Sequence, residues 1–162
     1  MSGPDSGAGF RDVLGRFASG VTVVTSVDGD GIPAGLACQS FASLSLDPPL
    51  VMVCVARTST SWPRIAATGR FAVNVLAEDQ REVCRAFAVS GSDKFAGVGW
   101  TASPHGTAHL DGALAAIDCA IEDVHEAGDH LIVVGAVREL HDRRDRGPLL
   151  YFRGDYAAGA FH

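Results

Sequence analysis

The first periodic segment covers residues 10–19, where Phe10, Val13, Leu14 and Phe17 fall at i, i+3, i+4 and i+7. That spacing predicts an amphipathic helix, ended by Gly20. Residues 21–27 (VTVVTSV) are rich in β-branched side chains and predict a strand. Asp28-Gly29-Asp30-Gly31 is a turn signal, and 34–42 is expected as the return strand of a hairpin. Asp47-Pro48-Pro49 then breaks the chain, because proline lacks an amide proton and restricts the residue before it. The apolar run 50–56 predicts a strand buried on both faces.

Ser59 or Ser61 can cap a short helix over 62–68, with Pro63 in its first turn and Gly69 at its end. Residues 71–76 (FAVNVL) alternate like a strand, and Asp79 can cap a helix over 80–89. Residues 90–112 hold five glycines and Pro104, which predicts a long loop. Strand patterns follow at 113–124 and 131–140, around the turn Glu126-Ala127-Gly128-Asp129. The charge-dense stretch 138–146 is expected to be solvated, and 149–152 is expected as a last short strand. Six or seven strands joined mostly by hairpin links, with three short helices, do not alternate as a doubly wound sheet does. The pattern predicts a mainly β protein, a small antiparallel barrel with short flanking helices.

Composition narrows the function. The length of 162 residues is about one domain. Acidic residues outnumber basic ones, 19 to 13, for a formal charge of −6, and 47% of the residues are hydrophobic. This excludes a disordered chain and argues against a nucleic-acid module, which needs a basic face. The length leaves no room for a dinucleotide domain plus a catalytic domain, so a large ligand must be held by one small domain or by two copies of it. None of the four cysteines stands in a C-x-x-C pair, and all are expected as free thiols. Residues 1–9 are Gly/Ser/Pro-rich and lack an apolar run, so they are expected as a flexible tail before a domain over 10–162, and not as a signal peptide. The longest apolar runs, 50–56 and 131–137, fall short of the ~20 residues of a membrane helix. The expectation is a cytoplasmic protein that binds neither membrane nor nucleic acid.

Most catalytic motifs fail on context. Residues 97–102 match G-x-G-x-x-A, but no strand precedes them and Pro104 follows. Neither a phosphate loop nor a nucleophile elbow is present. His105 and His109 have metal-like spacing but stand in a loop without an acidic pair beside them in sequence, so no metal is expected. By spacing alone, His125 and His130 are turn histidines.

Several segments taken in order carry a more specific signal. They are residues 17–25 (FASGVTVVT), 35–51 (GLACQSFASLSLDPPLV), Ser61-Trp62, 69–76 (GRFAVNVL), Asp93-Lys94-Phe95, Gly128-Asp129-His130 and 148–154 (PLLYFRG). Together they resemble the short-chain flavin reductases, the NAD(P)H-dependent partners of two-component flavin monooxygenases. The resemblance runs from Phe10 to about Tyr156.

The resemblance implies a flavin-binding split β-barrel of Greek-key type. It implies an enzyme that passes hydride from NADH (or NADPH) to FMN or FAD and hands diffusible reduced flavin to a monooxygenase. It implies a homodimer, with the flavin in a groove between subunits. Cys38, Gln39 and Ser40 would lie along the flavin ring, although relatives often carry Thr-Ala-Asn there. Cys54, Val55 and Ala56 would border it, and Arg57, Thr58, Ser59 and Ser61 would hold its phosphate. Asp93, Lys94 and Phe95 would sit beside its ribityl or phosphate end. His130 would be the catalytic and nicotinamide-positioning residue, with Tyr156 closing that pocket. Two other readings keep the barrel: a flavin oxidase like pyridoxamine-phosphate oxidase, and a flavin- or haem-binding carrier or sensor without turnover.

Overall fold

The computed structural model describes residues 7–91 and 93–158. The chain begins with α1 (Gly7–Leu14), β1 (Ser19–Gly20), β2 (Thr22–Val27), β3 (Pro33–Cys38), β4 (Phe41–Leu46) and β5 (Pro49–Ala56). It continues with α2 (Trp62–Thr68), β6 (Arg70–Val75), α3 (Arg81–Ala88), β7 (Trp100–Ala102) and β8 (Ala108–Leu110). It ends with β9 (Ala115–Ala127), β10 (His130–Asp142), β11 (Leu149–Phe152) and β12 (Asp155–Ala158).

Seven strands form one sheet in the order β3-β2-β6-β9-β10-β5-β4, and each ladder in it is antiparallel. The sheet curls until its two ends approach. The Cys54 amide donates to the Ser40 carbonyl at 3.3 Å, and Ser40 Oγ donates to the Cys54 carbonyl at 2.9 Å. Among the described residues no ladder joins β3 to β5. The barrel therefore stays split at Gln39-Ser40, where the chain leaves β2 as partner and joins β5.

Alternation along β2 builds a core on each face. Val24 faces the barrel interior with Leu36, Val53, Phe71, Val73 and Val133. Val21 and Val23 face outward and are covered by Cys84 and Phe87 of α3, by Leu110 and by Leu149. Burial of each such aliphatic or aromatic side chain stabilises the fold by roughly 1.5–3 kcal/mol. That is why 21–27 reads as a continuous apolar and β-branched run. Gly135 is required by packing: a Cβ there would stand 2.6 Å from Phe71 Cζ.

Several expectations shift. The return strand expected over 34–42 is two strands, β3 and β4, with different partners. The expected loop 90–112 contains the short hairpin β7–β8. The first helix spans Gly7–Leu14 instead of 10–19, so residues 7–9 of the expected tail are helical, while residues 1–6 lie outside the described residues. Asp79 does not cap α3; its carboxylate takes both Arg144 Nη atoms at 3.0 and 2.8 Å. Residues 138–142 belong to β10, while the stretch 138–146 is largely exposed as expected, with Arg144 and Arg146 paired with Asp79 and Glu78 at the surface. Among the described residues, no helix is long and apolar enough to cross a membrane.

Candidate functional site

The split of the barrel opens into a groove. One part, a cavity of about 490 Å³, is lined by Cys38, Gln39 and Ser40 from the β3–β4 corner and by Cys54, Val55 and Ala56 from β5. Thr58 and Ser59, His130 at the start of β10, and Tyr156 from β12 complete its rim. These residues are far apart in sequence. The β5–β10 ladder brings two of them together by placing His130 opposite Ala56. A second cavity of about 550 Å³ is lined by Ser61, Asp93, Lys94 and Phe95 with Gly35, Thr60 and Arg64. Lys94 borders both cavities.

Each polar side chain has a definite local role. Ser59 Oγ accepts from the Trp62 amide at 3.1 Å, so Ser59 supplies the cap of α2, and Ser61 makes no side-chain cap bond. Lys94 Nζ donates to the carbonyls of Gly35 and Phe87, both at 3.3 Å. Burial lowers its pKa from the usual lysine value. Phe95 packs edge-on against Phe87 and Trp100, with centroids at 4.8 and 5.8 Å. Gly35 makes room for this stack, since a Cβ there would meet Phe87 Cε1 at 2.8 Å and Phe95 Cζ at 3.2 Å.

His130 Nδ1 lies 2.8 Å from Asp129 Oδ1. An ionised carboxylate only accepts, so the ring proton is on Nδ1 and Nε2 is left unoccupied by this pair. The same hydrogen bond, then the charge of His130, lowers the Asp129 pKa. Tyr156 has its hydroxyl 3.3 Å from Cys84 Sγ. Burial first, then this hydrogen bond, raises its pKa to about 12. Burial also raises the thiols of Cys38 and Cys84, and that of Cys119 to about 12. These three thiols are therefore protonated at neutral pH and unsuited to nucleophilic work.

Arg57 departs from its expected place. It does not line either cavity, and its Nε donates to the Gly128 carbonyl at 2.8 Å while its Nη1 approaches Glu126 at 3.4 Å. Its amide also donates to the Asp129 carbonyl. The side chain braces the β9–β10 turn beside His130. Ser61, Asp93 and Phe95 line only the second cavity. The sequence reading missed Phe87, Ala88 and Ser90 at the end of α3, and Arg64, which donates to the Pro33 carbonyl at 3.2 Å. An arginine on α2 close behind the hydroxyl-rich 58–61 segment was the available signal for Arg64.

The split antiparallel barrel thus presents an open groove edged by hydroxyls and an imidazole, of a size that small-molecule sites have. Residues 14–160 match the family model of the flavin reductase-like domain. The reductase subunit HsaB of a flavin-dependent monooxygenase from Rhodococcus jostii (strain RHA1) is 53% identical over 147 residues, covering 91% of this chain and 75% of that protein. The crystal structure of nitrilotriacetate monooxygenase component B from Mycobacterium thermoresistibile is 49% identical, with a TM-score of 0.90 over 94% of this chain and 86% of that one. The Streptomyces globisporus NADH:FAD oxidoreductase SgcE6, in complex with NAD and FAD fragments, is 35% identical, with a TM-score of 0.92 over 99% of this chain and 96% of that one. The chain belongs to the flavin reductase family. It is an enzyme that passes reducing equivalents from a reduced nicotinamide dinucleotide to a flavin.

Proposed function

We propose that this flavin reductase uses NADH to reduce FAD and releases the reduced flavin to a separate monooxygenase component. The observation that carries the reading is the groove of two cavities joined at Lys94. Each lies within the range of small-molecule sites. Together they offer room for a flavin ring at Cys38–Ser40 and Cys54–Ala56 and for a dinucleotide tail past Lys94. An FMN would leave the Arg64 end empty.

When bound, the paired nicotinamide and flavin supply the hydride donor and acceptor, and the protein's task is positioning. Gln39 and Ser40 present polar groups to the ring edge. Thr58 and Ser59 offer hydroxyls to the proximal phosphate, and Lys94 adds a positive charge between the two cavities. His130, oriented by Asp129, sets the nicotinamide, and Tyr156 closes that end. The preference for NADH follows that of the S. globisporus relative, an NADH:FAD oxidoreductase of the same fold. The open groove favours a flavin that exchanges with solvent. The R. jostii relative is the reductase subunit of a monooxygenase, which supports the same kind of partner here.

A homodimer completes this reading. Among the described residues of α1 none is buried. Phe10, Val13 and Leu14, followed by Phe17 at 82% exposure, form an apolar strip that the described residues leave bare. Phe17 lines a further cavity that reaches Gln39, so a second copy seated on the strip would wall the flavin groove. The four cysteines are free, which suits the reducing cytoplasm.

The direct test is NADH oxidation followed with added FAD, FMN or neither. Turnover that saturates with FAD at lower concentration than with FMN supports the reading, and equal use of both overturns the FAD assignment. Sedimentation of the protein and of Phe17→Asp separates dimer from monomer.

A further inference from the structure

His109 on β8, Asp118 on β9 and His141 on β10 converge on the barrel wall away from the flavin groove. His109 Nε2 lies 3.1 and 3.0 Å from the two Asp118 oxygens, and His141 Nε2 lies 3.1 Å from Oδ2. One ligand atom from each of the three residues falls within 4.8 Å of the others. The Asp118 side chain is fully buried. Thr107 Oγ1 donates to it at 2.5 Å and Ser103 Oγ at 3.4 Å. A second carboxylate, Glu139, stands at the mouth, 3.7 Å from His141 Nε2 and 2.7 Å from His105 Nε2.

We propose that His109, Asp118 and His141 bind a divalent transition-metal ion of the zinc class, with Glu139 as the fourth ligand. Two imidazoles and two carboxylates are a donor set that such ions take and that Mg²⁺ and Ca²⁺ do not favour. Ligands about 2.0–2.1 Å from a shared ion stand roughly 3.0–3.4 Å apart. The separations of His109 and His141 from Asp118 already match this, whereas Glu139, which clusters with His105 and Asp118, must leave His105 and swing in to complete the set. Each imidazole shifts its ring proton to Nδ1 and turns the Nε2 lone pair to the ion. Two carboxylates then balance the charge of one divalent cation. The Thr107 and Ser103 hydroxyls hold the Asp118 carboxylate as an outer shell does in metal sites. His141 is 26% exposed and leaves a path for the ion.

The ion would tie the β7–β8 hairpin to the main sheet. That hairpin carries Trp100, which packs on Phe95 beside Lys94, so the clamp supports one wall of the flavin groove without touching its ligands. The site does not depend on which flavin or nicotinamide the enzyme uses.

The test is equilibrium dialysis of the chelator-stripped protein against Zn²⁺, with Co²⁺ absorption as the geometric probe. The expected result is one equivalent bound per chain, a d–d spectrum of four-coordinate Co²⁺, and a higher melting temperature with Zn²⁺. His141→Ala is expected to weaken binding by more than about tenfold, and Thr107→Val to weaken it by about 10- to 100-fold while retaining it. His125→Ala, at an exposed histidine outside the cluster, is expected to bind as the parent does. Flavin turnover and the circular dichroism spectrum report that each variant is folded. Absence of saturable Zn²⁺ binding by the folded parent overturns the proposal, as does unchanged binding by His141→Ala.

Discussion

His130 stands opposite Ala56 in the β5–β10 ladder, and both border the same cavity. A hairpin turn therefore delivers an imidazole to the end of the strand that walls the groove. Asp129 holds the ring at 2.8 Å through Nδ1. His130→Ala is expected to raise the KM for NADH about tenfold, the equivalent of one hydrogen bond to a polar ligand. It should slow flavin reduction in single-turnover experiments and leave the flavin Kd nearly unchanged. Comparable loss of flavin affinity would move His130 out of the nicotinamide role.

Arg57 separates two readings of its own position. As a phosphate ligand, its removal would weaken flavin binding by an order of magnitude or more. The geometry instead ties it to Gly128 and Glu126, on the turn that carries His130. Arg57→Ala is expected to raise the NADH KM severalfold and to change the flavin Kd by less than about twofold, because the Arg57–Glu126 pair is exposed and weak in itself. Titration of flavin against the variant, by quenching of flavin fluorescence, checks it.

Gly35 carries a packing constraint with a functional consequence. A Cβ at this position comes within 2.8 Å of Phe87 Cε1, and Phe87 is almost fully buried. The ring cannot swing away cheaply. Gly35→Ala is expected to cost about 1–3 kcal/mol, as overpacked cores do. That corresponds to a fall in Tm of a few degrees up to roughly 10 °C. The Gly35 carbonyl also receives the Lys94 ammonium, so the variant should bind flavin more weakly as well. Thermal melts with and without flavin measure both effects, and a variant as stable as the parent would show that the Phe87–Phe95 stack is looser than its geometry.

Much of the architecture was legible because local pattern and tertiary demand agreed. The β2 run is apolar and β-branched because both of its faces are covered. The Gly128 turn marks the β9–β10 hairpin because it adopts a positive φ of 64° there. The split at Gln39-Ser40 was not legible: Cys38-Gln39-Ser40-Phe41 contains neither glycine nor proline, and the break arises from an exchange of sheet partners. The β7 and β8 strands have three residues each, too few to show a period among so many glycines. His105 and His109 read as loop histidines for a related reason. Their carboxylate partners, Glu139 and Asp118, are 34 and 9 residues away in sequence, and only the curled sheet brings them together. The same curl takes Arg57 out of the groove and onto a turn some 70 residues distant in sequence.

Tyr156 supplies a prediction at alkaline pH. Its hydroxyl lies against Cys84 at 3.3 Å under partial burial, and its pKa is raised from 10.0 to about 12. The native state thus keeps the phenol neutral over a range in which the unfolded chain ionises it. This contribution to stability is fully present below pH 10 and is lost as the pH rises through about 12. The chain has two tyrosines, so Tyr151→Phe leaves Tyr156 as the sole source of the tyrosinate band. In that variant the band is expected to appear near pH 12 while the protein is folded, and near pH 10 in denaturant. Native titration near pH 10 would show that the Tyr156 ring is solvated and does not close the end of the groove. Tyr156→Phe should flatten the alkaline loss of stability, and, because the ring remains, it should leave NADH binding almost unchanged.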